Sequence, residues 1–137
     1  MDRLHILVIG AGGREHALAW RLSRDAGTAR LFCAPGNPGM AAIPGVTCIP
    51  IPASDPEALI SLVQREAIRL VVIGPEAPLA AGLSDALRAR CPGTAVFGCS
   101  ARAAATCMSS IIRPSWRCAP PVAAAIAAAG ASRLRCR

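Results

Sequence analysis

Short apolar runs that end abruptly in glycine or proline constrain the fold of this chain most. Residues 4–9 form a continuous run of strand-forming side chains, and the Gly-Ala-Gly-Gly segment 10–13 ends it. Residues 70–73 form a second such run, and Gly74 and Pro75 end it in the same way. Runs of this kind are typical of strands that are buried on both faces of a parallel sheet.

The segments between these runs have helical character. We predict helices at residues 14–24, 54–67 and 79–90, with Ser54 as the cap, Pro56 in the first turn and Glu57 completing a capping box of the second. Strands are predicted at residues 4–9, 29–33, 47–51, 70–73 and 94–97, the third as an edge strand because it contains Pro50. This alternation predicts a three-layer α/β domain with a parallel sheet of four or five strands.

Three loops rich in glycine and proline each follow a predicted strand. They span residues 10–13, 35–39 and 74–78. Ligands of open α/β sheets bind outside the carboxyl ends of the strands. We therefore expect the three loops to converge on one edge of the sheet.

Composition supports one packed domain and assigns the basic charge to a tail. Apolar residues make up 53% of the 137 residues and aromatic residues only 3%, so the core is aliphatic. Residues 1–98 contain nine arginines and eight acidic residues, whereas residues 99–137 contain six arginines and no acid. The net charge of +7 therefore indicates no nucleic-acid surface on the domain itself. We divide the chain into a domain at 1–98 and an atypical tail at 99–137.

The cysteines and the chain start point to a cytoplasmic protein without a membrane segment. Seven cysteines are present, with no C-x-x-C pair and no Cys/His cluster at zinc spacing. The start leads directly into the first predicted strand rather than into a signal peptide. The apolar stretch 119–131 is too short to span a bilayer and contains two prolines and a glycine.

The residues of the glycine loop 10–13 allow two interpretations. Closely spaced glycines before a helix let the backbone amides approach an anion, or they simply let the helix pack tightly on the strand. A dinucleotide fingerprint would require a third glycine where Glu15 stands, and an acid at the end of the second strand. Both are missing, which argues against an NAD-dependent oxidoreductase. A Walker-type loop is excluded as well, because the sequence contains no Gly-Lys-Ser/Thr.

At three places the residues resemble one family, the phosphoribosylamine–glycine ligases. The resemblance rests on Gly-Ala-Gly-Gly-Arg-Glu-His-Ala at 10–17, Pro-Gly-Asn-Pro-Gly at 35–39 and Gly-Pro-Glu-Ala-Pro-Leu at 74–79, and covers about residues 3–98. It implies a Rossmann-like domain that precedes an ATP-grasp module and helps to hold phosphoribosylamine. In the full-length enzyme ATP and Mg²⁺ or Mn²⁺ would be bound mainly by the later module, so we expect this chain to bind neither strongly.

The resemblance implies substrate-binding positions but no catalytic or metal-binding residue in this chain. In the first loop it implies that the backbone of Gly12 and Gly13 and the side chains of Arg14 and Glu15 lie near the substrate, and that Glu76 approaches the ribose hydroxyls or the amine. The full set of implied positions is Gly10, Gly12, Gly13, Arg14, Glu15, Asn37, Gly39, Pro75 and Glu76.

Several of these residues also have plain structural explanations. In structural terms, Arg14 and Glu15 would form a solvated pair in the first turn of a helix. Asn37 would only shape its turn. His16 is compatible with a structural histidine that is hydrogen-bonded to a loop. Between Gly-Pro and Ala-Pro, Glu76 is harder to explain structurally.

The likeness ends near Gly98, although residues 100–104 fit the family's next helix. Cys99 stands where the family usually has proline, and no ATP-grasp sequence follows. We hypothesise a frameshift between about residues 99 and 108, with an out-of-frame or disordered tail. We expect the chain alone to lack ligase activity, and we infer no membrane partner and no obligate protein partner. The alternatives are a nucleotide-binding oxidoreductase domain and a non-catalytic protein whose basic tail binds RNA or an acidic partner.

Overall fold

The computed structural model describes residues 4–110, which form a five-stranded sheet covered by helices on both faces. The strands are β1 (Leu4–Gly10), β2 (Thr28–Pro35), β3 (Val46–Cys48), β4 (Leu70–Ile73) and β5 (Ala95–Phe97). The helices are α1 (Gly13–Ser23), α2 (Pro38–Ala41), α3 (Pro56–Arg65), α4 (Glu76–Ala80), α5 (Leu83–Arg90) and α6 (Ala101–Ser110).

All neighbouring strands are parallel, in the order β3-β2-β1-β4-β5. This confirms the predicted fold class and the edge position of the third strand, which ends before Pro50. The chain first builds outward from β1 through β2 to β3, and then returns to place β4 on the other side of β1. The carboxyl ends of β1 and β4 therefore flank a switch point, where open α/β sheets bind ligands.

Alternate residues of the central strands enter two separate cores. In β1, Leu7 and Ile9 pack on the face covered by α3 and α5, while Ile6 and Val8 pack on the face covered by α1 and α2. Because side chains alternate across a strand, a run that is apolar at every position must be covered on both sides. The apolar segment at the chain start thus makes β1 the centre of three layers.

The structure differs from the sequence prediction at three places. The helix predicted at 79–90 is two helices, because Gly82 separates α4 from α5 with a positive φ of 88°. The loop at 35–39 already contains the first turn of α2, which begins at Pro38. Ser54 is not the cap of α3; the carboxylate of Asp55 accepts the hydrogen bond from the Ala58 amide instead, at 3.1 Å.

Side chains of α5 hold the segment that leads from β5 into α6. The Ser84 hydroxyl donates to the Cys99 carbonyl at 2.6 Å, and Arg88 donates to the Gly98 carbonyl, also at 2.6 Å. The Asp85 carboxylate accepts from the Ala101 amide, the first of α6, at 3.0 Å, and the Ser100 hydroxyl oxygen caps the helix by accepting from the Ala103 amide at 3.2 Å. The helix predicted near residues 100–104 is thereby confirmed and fixed to its neighbour.

Within residues 4–110 no helix is long and apolar enough to cross a membrane. Residues 111–137 of the predicted tail lie outside the described part of the chain. The frameshift between about residues 99 and 108 stays a prediction.

Candidate functional site

The three glycine- and proline-rich loops meet at the carboxyl edge of the sheet, as predicted. The Gly36 amide donates to the Gly10 carbonyl at 3.2 Å, and the Gly74 amide donates to the Ile9 carbonyl at 3.0 Å. The Asn37 side chain adds a hydrogen bond from Nδ2 to the Ala11 carbonyl at 2.8 Å. The first loop is therefore hydrogen-bonded to the second, and the third loop begins with a hydrogen bond to the strand residue just before the first.

Glu15 is buried among these loops rather than displayed on them. Its side chain is only 5% exposed, and its Oε2 accepts the hydrogen bond of the Gly12 amide at 2.8 Å. It lies directly against Gly10 and Gly74, where any added Cβ would overlap it. The two glycines thus leave a slot that the Glu15 side chain fills.

This arrangement changes what the first loop offers to an anion. The Gly12 amide, which we expected to face the ligand, donates its hydrogen bond to the Glu15 carboxylate instead. The first intrahelical bond of α1 runs from the His16 amide to the Gly12 carbonyl, at 3.0 Å. The amides of Gly13, Arg14 and Glu15 precede that bond, so they have no carbonyl partner within the helix and form its positive end.

Asn37 joins the second loop to the first and starts a helix. Its Oδ1 accepts from the Met40 amide at 2.8 Å, which caps α2, while its Nδ2 donates to Ala11. Gly39, in the first turn of that helix, lies under the ring of His16, whose Cε1 is 2.6 Å from the position a Cβ would take. Contact between His16 and Gly39 therefore brings α1 and α2 together beside the site.

The exposed charges of the cluster are Arg14 and Glu76. Arg14 lies in the first turn of α1, and Glu76 begins α4 immediately after Pro75. Among residues 4–110 neither side chain forms an ion pair or a side-chain hydrogen bond. Pro75 itself packs on the first loop, its Cδ 3.1 Å from the position of a Cβ on Gly10. One cation and one carboxylate are therefore available to a ligand at this edge.

Sequence reasoning did not foresee the burial of Glu15 or the double role of Asn37. The Asn37-Pro38 pair is an ordinary signal for a helix start and could have indicated the cap of α2. The burial of Glu15 depends on contact with Gly74, which is distant in sequence. In the described part of the chain no group of three or more His, Cys, Asp or Glu side chains could hold a metal ion.

The sequence of the chain matches one family of known proteins. Residues 4–106 match the family described as phosphoribosylglycinamide synthetase, N domain. The chain belongs to this family. The match extends past Gly98 into α6, and so includes the segment held by α5.

Curated relatives that bear the name phosphoribosylamine–glycine ligase share about half of the matched residues. The Brucella melitensis protein is 50% identical over 101 residues, which is 74% of this chain and 23% of the relative. The Ralstonia nicotianae protein is 46% identical over 107 residues, or 78% of this chain and 24% of the relative. The chain thus spans about a quarter of the length of the relatives it matches.

Proposed function

We propose that this chain forms the sugar-phosphate-binding part of a phosphoribosylamine–glycine ligase. That enzyme joins glycine to 5-phosphoribosylamine with ATP, and releases glycinamide ribonucleotide, ADP and phosphate in purine biosynthesis. The observation that carries the proposal is the contact between three loops at the switch point of the sheet. Residues 4–106, which include these loops, match this family. The family match disfavours the alternatives of an oxidoreductase domain and of a basic-tail binding protein.

Arg14 and the positive end of α1 are the groups suited to a phosphate. The amides of Gly13 and the two residues after it point out of the first turn, and the Arg14 guanidinium is exposed beside them. Helix N-termini bind anions through such amides, and a guanidinium adds a charge-assisted hydrogen bond. We assign these groups to the phosphate of phosphoribosylamine.

Glu76 is the group suited to the other end of the ligand. A carboxylate accepts hydrogen bonds from two neighbouring hydroxyls or from an ammonium group. We assign Glu76 to the ribose hydroxyls or the amine, with Pro75, Asn37 and Gly39 forming the walls. Glu15 acts as a positioning residue, because its carboxylate holds the Gly12 amide and fills the slot between Gly10 and Gly74.

The residues described do not offer a site for the metal ions that accompany ATP in the full-length enzyme. In residues 4–110 no cluster of side chains has the ligands for Mg²⁺ or Mn²⁺, so no step of the reaction is assigned to a metal here. We expect the 137-residue chain to bind the sugar phosphate without making product. A cytoplasmic location fits the free thiols of Cys33, Cys48, Cys91 and Cys99.

Calorimetric titration of the full chain with ribose 5-phosphate tests the proposal. We expect saturable binding that weakens about tenfold, or about 1.4 kcal/mol, in Arg14→Ala. Arg21→Ala is the matched control, because Arg21 is an exposed arginine in the last turn of the same helix. Binding in Glu76→Ala should weaken while the melting temperature stays unchanged. Absence of binding at millimolar ribose 5-phosphate, or equal binding by the Arg14 and Arg21 variants, would contradict the assignment.

A further inference from the structure

Two cysteines face each other across neighbouring strands beneath the second loop. Cys33 of β2 and Cys48 of β3 are direct partners in the parallel register. Both side chains pack against the same core on the α1 and α2 face of the sheet, so they point the same way. Neighbouring strands lie about 4.8 Å apart, which falls within the range of about 4.4–6.8 Å that Cα atoms of disulfide-bonded cysteines occupy.

The loop above the two thiols is in contact with both of them. Gly36 has a positive φ of 73°, and a Cβ built on it would lie 3.2 Å from the Cβ of each cysteine. The Cys48 Sγ lies 3.9 Å from the Asn37 carbonyl oxygen, to which the thiol donates a weak hydrogen bond. The thiol pair is therefore packed directly under the segment that carries Asn37.

The two thiols differ in access to solvent. Cys33 is fully buried, whereas Cys48 is partly exposed on the edge strand. Burial, reinforced by the neighbouring Cys48 thiol, raises the pKa of Cys33 to about 12. A dissolved oxidant therefore reaches Cys48 first, and Cys33 stays protonated and reacts only with what forms on its neighbour.

We propose that Cys33 and Cys48 form a peroxide-sensitive site that closes to a disulfide between β2 and β3. The Cys48 sulfur attacks hydrogen peroxide, so that an S–O bond forms, the O–O bond breaks and one water leaves. The Cys33 sulfur then attacks the sulfenic sulfur of Cys48. The S–S bond forms, the S–O bond breaks, and the departing hydroxide takes the Cys33 proton as a second water. Two thiols are oxidised and one peroxide is reduced.

Closure of the disulfide removes the thiol proton that Cys48 donates toward Asn37. It also ties the edge strand to its neighbour directly below Gly36, which has no free space on that side. Oxidation therefore acts on the second loop of the candidate site. The proposal depends only on the strand register and the thiol contacts, and it stands whether or not the chain binds a sugar phosphate.

Peptide mapping of the full-length chain tests this directly. Trypsin cleaves after Arg30 and Arg65, and the peptide 31–65 contains Cys33 and Cys48 and no other cysteine. The protein is treated with hydrogen peroxide, blocked with iodoacetamide, unfolded with more iodoacetamide and digested. We expect this peptide to lose two hydrogen masses and to carry no alkyl group, and dithiothreitol to restore two alkylatable thiols.

Variants distinguish this disulfide from general oxidation. Cys91→Ala, which removes another buried cysteine, should leave the 31–65 disulfide intact, whereas Cys48→Ala should leave Cys33 reduced after peroxide. Two alkyl groups on the wild-type peptide after peroxide would overturn the proposal. So would a Cys48 sulfinic acid beside an alkylated Cys33, or a cross-link from either residue to a different cysteine.

Discussion

The two glutamates of the candidate site have opposite environments. Glu15 is buried, hydrogen-bonded to the Gly12 amide and packed against Gly10 and Gly74, whereas Glu76 is exposed at the start of α4. Both lie in the first turn of a helix that follows a central strand. The difference separates groups that build the loop cluster from groups that remain available to a ligand, and motif resemblance alone does not distinguish the two.

Gly74→Ala should have the largest effect on the buried side of this comparison. The new methyl group would displace the Glu15 carboxylate, and we expect the free energy of unfolding to fall by about 2–3 kcal/mol. Urea denaturation measures this. Gly93→Ala is the control, because nothing lies within 4 Å of a Cβ at that turn position. In a Glu15→Ala background the cost of Gly74→Ala should nearly vanish, and an unchanged cost would show that Glu15 is not the obstacle.

Substitution of the two glutamates themselves tests the comparison next. Glu15→Ala removes the acceptor of the Gly12 amide and should lower the free energy of unfolding by about 1–2 kcal/mol. Glu15→Gln keeps an acceptor oxygen and should retain most of the stability. Glu76→Ala should change stability by less than about 0.5 kcal/mol. Equal losses in the Glu15→Ala and Glu76→Ala variants would remove the distinction.

Alkaline pH probes the buried thiol of Cys33, which lies beneath the second loop. The pKa of Cys33 is raised from 9.0 to about 12 in the folded protein, mainly by burial. Below pH 9 both states hold the proton; above it the unfolded state releases the proton first. The free energy of unfolding should therefore fall by up to about 1.4 kcal/mol for each pH unit between 9 and 12. Cys33→Ala should flatten this slope, while Cys99→Ala, at an exposed position, should not.

Asn37→Asp separates the two roles of this side chain and should have a smaller effect than Gly74→Ala. Aspartate keeps the acceptor for the Met40 amide but loses the donor to the Ala11 carbonyl, so we expect a loss of about 1 kcal/mol. Asp55→Asn, which keeps the α3 cap, should be nearly neutral. If Asn37→Asp were equally neutral in urea denaturation, the link between the first two loops would contribute nothing.

Much of the fold followed from local pattern. The apolar runs of β1 and β4 predict burial on both faces, and short links between strands and helices predict parallel pairing, which together lead to the observed sheet. The helix break at Gly82 did not follow, because a glycine within a helical pattern is usually tolerated and its positive φ depends on tertiary packing. The cap at Asp55 was missed because Ser54 satisfies the same local rule.

The candidate site was predictable in location but not in detail. Three loops after three strands place the cluster, but the orientation of Glu15 depends on Gly74, which is distant in sequence and adjacent only after β1 and β4 pair. The same holds for Cys33 and Cys48, whose contact depends on a strand register that no local signal specifies. Contacts across strands are therefore the part that the sequence pattern left open.

The hydrogen bonds from α5 to the segment after β5 determine how the start of α6 is held. β5 has only three residues, so it is a weak guide for the direction of the chain beyond it. Ser84, Asp85 and Arg88 instead secure Cys99, Ala101 and Gly98 through hydrogen bonds from a single helix. The start of α6 is thus held by α5, while Ala104 anchors the same helix in the core. A change in any of these three side chains would weaken the hold on the start of α6, and the buried Ala104 would remain as the contact of that helix with the core.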